Sequence, residues 1–352
     1  MVHYIIRRLL YGILVLIMVI VVISSIIYLA PVDPERLVMG QRTDVGSLEA
    51  KRKELGLDQP LYIQLMWYLR DLSPIAVHEN SQSAQEKYEY FPLLRFNDKA
   101  LVIKRPYLRE SFQSGRRVSE ILWQAIPRTA ILALSAILLA TIAGILLGIV
   151  AALNQNTWID NLAVVVSVLG YSLPSYVTAM ILALVFGYYL GDLTGLNLQG
   201  PLTDYDVLLD KEVYIWKNLL LPAIALGIRP IGIITQLSRS TLLEVLQQDY
   251  IRTAKAKGLA KNKVIFKHAL RNALNPVVTA TTGWFAALLA GAFFVENVFN
   301  YNGLGLETVN ALLNFDIPVV LGAVIFTSIA FVVINLFVDI LYAILDPRVR
   351  LA

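Results

Sequence analysis

Apolar residues in this chain gather into long uninterrupted runs rather than alternating with polar ones. Five uncharged runs occupy positions 9–32, 129–159, 161–191, 272–295 and 317–338, and a sixth at 218–238 is broken only by Arg229. An α-helix needs about 20 residues to cross a bilayer core. The pattern therefore predicts six transmembrane helices. It argues against a soluble α/β core, in which buried helices seldom repeat at full membrane length. The long polar stretch at 31–127 is expected to form a small separate segment. Within it, 61–69 reads as an amphipathic helix after the turn-like Asp58-Gln59-Pro60, 78–87 as a loop, and 88–107 as short strands.

Composition supports a membrane protein. The chain has 352 residues, of which 57% are hydrophobic and 16% charged, against about a quarter charged in soluble domains. It has no cysteine, which excludes disulfides and thiolate metal sites. Its three histidines, His3, His78 and His268, are scattered and compose no metal-ligand motif. The net charge of +4 does not imply nucleic acid, because topology places the positive residues. The first apolar run follows Arg7-Arg8 but is longer than a signal-peptide core, so it reads as a retained first helix.

Lysine and arginine in short loops mark the cytoplasmic side. Arg7 and Arg8 precede the first run, eight Lys/Arg lie from Arg239 to Arg271, and Arg348 and Arg350 follow the last run. The opposite loops are acidic, with Asp192, Asp204, Asp206, Asp210 and Glu212 in one and Glu296, Glu307 and Asp316 in the other. Six spans with both termini in the cytoplasm satisfy this distribution. The turn at 154–160, cytoplasmic on this scheme, carries neither Lys nor Arg, whereas the outer segment holds Arg116-Arg117. Long loops escape the charge rule.

The cytoplasmic loop at 239–275 has more structure than a topology marker needs. Leu242, Val245 and Leu246 carry a helical period on to Tyr250 and Ile251. Gly258 follows Ala254-Lys-Ala-Lys257 as a helix-ending glycine, and Val264-Ile-Phe266 starts a second helix. The small Ala254 and Ala256 would admit a partner closely. Arg252, Lys255 and Lys257 could pair with partner carboxylates or with lipid phosphates.

Arg252-Thr253-Ala254-Lys255-Ala256-Lys257-Gly258-Leu259, with His268-Ala-Leu-Arg-Asn-Ala-Leu274 and Pro276, resembles the cytoplasmic signature of binding-protein-dependent ABC importer permeases, in their dipeptide/oligopeptide/nickel branch. Arg252-Thr253-Ala254 stands where the general signature has Glu-Ala-Ala. Further likenesses to the branch are Arg7-Arg8-Leu-Leu10 to Pro31-Val-Asp-Pro34, Leu55-Gly-Leu-Asp-Gln-Pro-Leu-Tyr62, and Ser111-Phe-Gln-Ser-Gly-Arg-Arg-Val-Ser119. Nearer the end are Gly303-Leu-Gly305, Asp316-Ile-Pro318, Gly322, Asn335, Asp339, Tyr342 and Asp346-Pro-Arg348. Positions 71–107 depart from the branch and read as an insertion.

The resemblance implies an all-α, six-helix type I permease fold with an enlarged extracytoplasmic segment between helices 1 and 2. Residues 1–30 would be the first helix, 31–127 the outer segment and 128–352 the permease core. It implies a second homologous permease, two ABC ATPase subunits docked on the short helix, and an extracytoplasmic solute-binding protein, in the bacterial or archaeal inner membrane among lipid. ATP would be bound by the ATPases, since this chain has no Gly-x-x-x-x-Gly-Lys-Ser/Thr loop. No catalytic, cofactor or metal residue is expected, and no nucleic acid. Peptides are the expected solute, with nickel chelates as the alternative within the family and a stand-alone secondary transporter as the distant one.

Three ionisable residues in or near the spans are candidate pathway or gating residues. Arg229, with Gly227 and Pro230, is expected to interrupt the fourth helix, either paired with a carboxylate or facing solute. Glu296 is expected at the outer mouth. Asp339 is expected to be a structural or gating partner. Gly144 and Gly148 have the spacing of close helix packing.

Overall fold

The computed structural model describes residues 2–29, 53, 58–96 and 98–345. The Pro31-Val-Asp-Pro34 and Asp346-Pro-Arg348 likenesses, and the Arg348 and Arg350 charges, lie outside the described residues, as do Leu55, Gly56 and Leu57.

In chain order the elements are α1 (Val2–Leu29), α2 (Leu61–Leu72), β1 (Ile75–Glu79), α3 (Gln82–Tyr88), β2 (Phe91–Phe96) and β3 (Lys99–Ile103). Next come α4 (Val118–Leu153), α5 (Trp158–Ser172) and α6 (Ser175–Leu182), which runs on as π-helical turns over Ala183–Tyr189. A short α7 (Gly191–Thr194) leads to the hairpin β4 (Thr203–Asp206) and β5 (Lys211–Tyr214). Then follow α8 (Lys217–Leu246), α9 (Asp249–Ala256), helical turns from Lys261 to Ala273, α10 (Asn275–Gly291), α11 (Phe293–Phe299), α12 (Leu304–Leu313) and α13 (Ile317–Leu345).

Among the described residues four helices, α1, α4, α8 and α13, are long and apolar enough to cross a membrane. The runs at 161–191 and 272–295 are not straight spans. Trp158–Ser172 meets Ser175–Tyr189 at 105°, and Asn275–Leu289 meets Phe293–Phe299 at 60°. Pro174 sits at the first bend with extended backbone, immediately before α6, because it lacks the N–H that a continuing helix would use. Arg229 does not interrupt the fourth helix: α8 runs unbroken through Arg229 and Pro230. A transmembrane helix tolerates proline where packed neighbours hold the freed backbone, and Gly227, Pro230 and Gly232 are all buried.

The residues divide into two compact units. One comprises Met1–Leu10, Ala125–Leu306 and Ile329–Ala352, and the other Tyr11–Gln124 and Glu307–Ser328. The core of the first unit packs Leu132, Ala136, Leu221, Ala225, Val295 and Phe299 around the fully buried Tyr301. Here α4 and α8 touch closely. A Cβ on Gly148 would lie 2.5 Å from the Ser238 Cβ, and one on Gly144 2.7 Å from Ile234 Cγ2. Small residues at these positions let the backbones approach and gain dispersion contacts that lipid cannot supply.

The second unit holds the polar segment. Helix α2 buries Tyr68 against Ile20, Ile317 and Leu321. The strands form an antiparallel sheet in the order β1-β3-β2. The described residues are therefore helical with two small sheets, not wholly α. Positions 78–87, expected to be a loop, are the end of β1 and helix α3. Ser81 caps α3 by accepting from the Ala84 N–H at 3.2 Å, and Glu89 ends it in the left-handed region at φ 46°. Polarity suggested a loop there, yet it reflects a solvated helix face with no buried residue.

Candidate functional site

The short helix α9 is built to hold one face still while offering the other. Helix α8 stops at Leu246, and Gln248 adopts an extended conformation at φ −68°, ψ 148°. The helical period from Leu242 to Ile251 is thus two helices with a turn between them. Asp249 lies in the first turn of α9 and Lys255 in the last, each sign complementing the helix dipole. At the other end Gly258 has φ +74°, where a Cβ would clash with its own backbone. Gly258 N–H donates to the Lys255 carbonyl at 3.0 Å and Leu259 N–H to the Ala254 carbonyl at 3.4 Å, the paired bonds of a Schellman stop.

Only Ile251 and Ala254 of α9 are buried. They pack with Ile149 and Ala152 of α4, Leu242 of α8, and Val264 and Ala269 beyond the turn. Leu259 is half-buried against the same cluster. Tyr250 accepts from Asn272 Nδ2 at 2.8 Å, and Thr241 donates to the Ala273 carbonyl at 2.9 Å. The helix is thereby fastened along one side and at both ends. Arg252, Thr253, Lys255, Ala256, Lys257 and Gly258 are exposed. Arg252 makes only a 3.3 Å ion pair with Asp249, with the two side chains 73% and 94% exposed, a pair of little energetic weight. One expectation is corrected: Ala254 is small because it faces the protein's own core, so Ala256 alone of the two alanines is open to a partner.

The three intramembrane candidates do not converge. Asp339 accepts from Tyr4 at 2.8 Å and pairs with Arg8 at 2.5 Å. Glu296 does not line a mouth: its side chain is fully buried. One oxygen accepts from the Thr129 hydroxyl at 2.7 Å, and the other from the Gly305 and Leu306 N–H groups at 2.6 and 3.2 Å. A buried carboxylate needs such donors when no cation stands beside it. The arrangement also places Gly303-Leu-Gly305, where α12 begins, directly against α11. Arg229 lies over the Tyr171 ring, 5.6 Å from its centroid. Its Nε is buried and unbonded, and among the described residues no carboxylate pairs with it.

Two charge arrangements escaped sequence reasoning. Asp160, buried at the start of α5, is held by both nitrogens of the Arg239 fork and by the Asn156 N–H at 3.0 Å. In the other unit, Asp316 accepts from Ser111 Oγ at 2.5 Å and from the Phe112 N–H at 3.0 Å. The available signal was that Asp160 is the one charged residue in positions 129–191.

Positions 144–351 match the family described as "Binding-protein-dependent transport system inner membrane component", and 1–133 match "Binding-prot-dependent transport system membrane comp, N-term". The chain belongs to this permease family. The "Dipeptide transport system permease protein DppB" of Alkalihalophilus pseudofirmus is 33% identical over 363 residues, covering 99% of this chain and 100% of that protein. The "Glutathione transport system permease protein GsiC" of Escherichia coli is 33% identical over 350 residues, covering 99% of both. A solved inward-facing structure of the MetNI methionine ABC transporter shares the fold, with a TM-score of 0.51 at 14% identity over 64% of this chain and 97% of that one. The permease is thus a multi-pass helical protein of the inner membrane.

Proposed function

We propose that this permease forms one half of the membrane pathway of an ATP-driven importer for di- or oligopeptides, and that α9 docks one ATPase subunit. The observation that carries the docking reading is a cationic exposed face, Arg252, Lys255 and Lys257, on a helix anchored by Ile251, Ala254 and the Gly258 turn. A helix held in this way moves as a unit with α4 and α8, so displacement of the ATPases reaches the spans instead of being lost in a loop. The names of the two relatives support peptides as the solute.

On this reading each bent pair counts as one span. The chain then crosses the membrane six times, with both termini and the 239–275 loop in the cytoplasm. Positions 31–127 are the enlarged extracytoplasmic segment, including the insertion at 71–107. A homologous second permease completes the pore, two ABC ATPases dock below, and a solute-binding protein delivers from outside. Arg229, without a carboxylate partner among the described residues, would meet solute; Glu296 and Asp339 hold helices together.

Reconstitution with the second permease and the ATPases tests this. Arg252→Glu with Lys255→Glu and Lys257→Glu should weaken ATPase association about tenfold or more, as loss of complementary charge does, with insertion unchanged. Unaltered association would overturn the docking role. Uptake without any ATPase would overturn the importer reading as a whole.

A further inference from the structure

The polar segment contains a cavity of about 590 Å³ that the docking helix and the spans do not use. It lies at the free edge of β1 and beside α3. Arg70, Lys87 and Lys99 border it, with Glu79 as the acid among them. Glu79 and Lys99 are cross-strand partners in the β1–β3 register, so these two offset each other. Arg70 and Lys87 are exposed, and neither has a carboxylate partner among the described residues. The lining therefore carries an excess of positive charge facing open space.

The floor is unusual. His78 is 5% exposed and borders the cavity. Its ring stacks on Tyr88 with centroids 4.1 Å apart, and lies nearly parallel to Tyr90 at 6.2 Å. Its Nε2 is buried without a hydrogen-bond partner. A buried polar nitrogen left unbonded costs about 1–3 kcal/mol, and the ring that carries it borders the cavity. Burial, with Arg70 and Lys104 nearby, keeps the imidazole neutral well below its ordinary range. Such a ring can donate one hydrogen bond to an anion without a second cation being buried. Val77, Ala84 and the Tyr88 ring give the rest of the wall an apolar surface.

We propose that this cavity binds a small organic carboxylate of amino-acid or short-peptide size, its carboxylate reaching His78 Nε2 and drawn by Arg70 and Lys87. The volume falls within the range of small-molecule sites, about 300–1,000 Å³, and exceeds what a lone inorganic ion fills. The apolar wall suits a carbon body beside the charged group. The site is built entirely from α2, the β1–β3 sheet and α3, so it stands independently of the α9 docking reading.

The test is calorimetric titration of the full-length permease in lipid nanodiscs with dialanine, dialanine amide and inorganic phosphate. Dialanine should bind, and removal of its carboxylate in the amide should weaken binding about tenfold or more, the usual cost of losing a charged hydrogen-bonded group. Arg70→Glu and Lys87→Glu change exposed residues and leave the core intact; each should weaken dialanine by a similar factor, and His78→Gln should weaken it also. No binding of dialanine, equal binding of the amide, equal competition by phosphate, or an unchanged affinity in both rim variants would each overturn the proposal. Uptake by the assembled transporter is measured alongside. No dialanine binding by the unaltered permease with normal ATP-driven uptake sinks this site alone, whereas intact binding without uptake sinks the transport reading alone.

Discussion

Arg239 grips both carboxylate oxygens of Asp160, with Nε 2.5 Å from Oδ1 and Nη2 2.7 Å from Oδ2. The pair joins the first turn of α5 to α8. It also supplies what the turn at 154–160 lacks in its own sequence: the positive charge comes from another helix. Asp160 is 2% exposed on its side chain, so removing Arg239 strands a buried carboxylate. Arg239→Ala should destabilise the permease by about 3–5 kcal/mol, read as a lower thermal midpoint in detergent. Asp160→Asn with Arg239→Gln together should cost clearly less than Arg239→Ala alone; an equal cost would mean the pair is not what holds the turn.

The turn after α9 gives a sharper functional test. At Gly258, φ +74°, a β-branched residue costs about 1–3 kcal/mol of backbone strain. Gly258→Val should uncouple ATP hydrolysis from uptake while leaving membrane insertion intact. Gly258→Asn, which tolerates the left-handed region, should retain most coupling. Coupled uptake at the native rate in Gly258→Val would refute the account of the turn.

The two alanines of α9 should separate stability from docking. Ala254→Leu forces a larger side chain into the cluster with Leu242 and Val264 and should destabilise by about 1–3 kcal/mol. Ala256→Leu adds the same atoms on the exposed face and should leave the melting temperature unchanged while weakening ATPase association. If both variants change the same property, the buried and exposed faces have been misassigned.

Glu296 is predicted to matter through its donors. Glu296→Ala leaves the Gly305 and Leu306 N–H groups and the Thr129 hydroxyl without their acceptor, each such loss costing about 1–3 kcal/mol. Thermal unfolding should show a large loss. Thr129→Val should show a smaller one, since it removes one bond to Glu296 and the 2.7 Å bond its hydroxyl accepts from the Leu304 N–H.

The polar segment should weaken in acid. His78 keeps its proton off down to about pH 4 because burial, Arg70 and Lys104 oppose the charged form, with only Asp71 favouring it. In the unfolded chain it titrates near 6.5. Between those values the unfolded state holds more protons, so this stability is full above pH 6.5 and is lost as pH falls toward 4. Hydrogen exchange over β1–β3 at pH 7 and pH 5 measures it. His78→Gln should flatten the difference; an unchanged pH dependence in that variant would place the titrating group elsewhere.

What the chain discloses before folding follows a physical divide. Gly258 could be read as a helix stop because the left-handed turn has a local cause, and Gly144 and Gly148 as packing positions because their spacing repeats on one helix face. Long apolar runs located every candidate span. At Pro174 the 105° angle was not legible, since a proline that begins or kinks a helix leaves the angle to what packs against it. Arg229 misled for the same reason: helix α8 continues through it because neighbouring elements bury the flanking Gly227 and Pro230. Ser111 and Asp316 were each visible inside a family-like motif, but nothing local said that one hydroxyl bonds the other's carboxylate. Pairings between distant residues, such as Asp160 with Arg239, are properties of packing and leave no periodic trace.

The Ser111–Asp316 bond, which closes a separation of 205 positions, has a consequence for how the protein is made. The polar segment is synthesised early, yet the carboxylate that fixes its exit loop comes just before the final helix. Ile317 and Leu321, which pack on Tyr68, are later still. A nascent chain therefore carries this segment without its closing pieces while most of the core is being translated. Its completion is a late event, and a truncation before Asp316 would leave the segment open to proteases rather than merely shorten the permease.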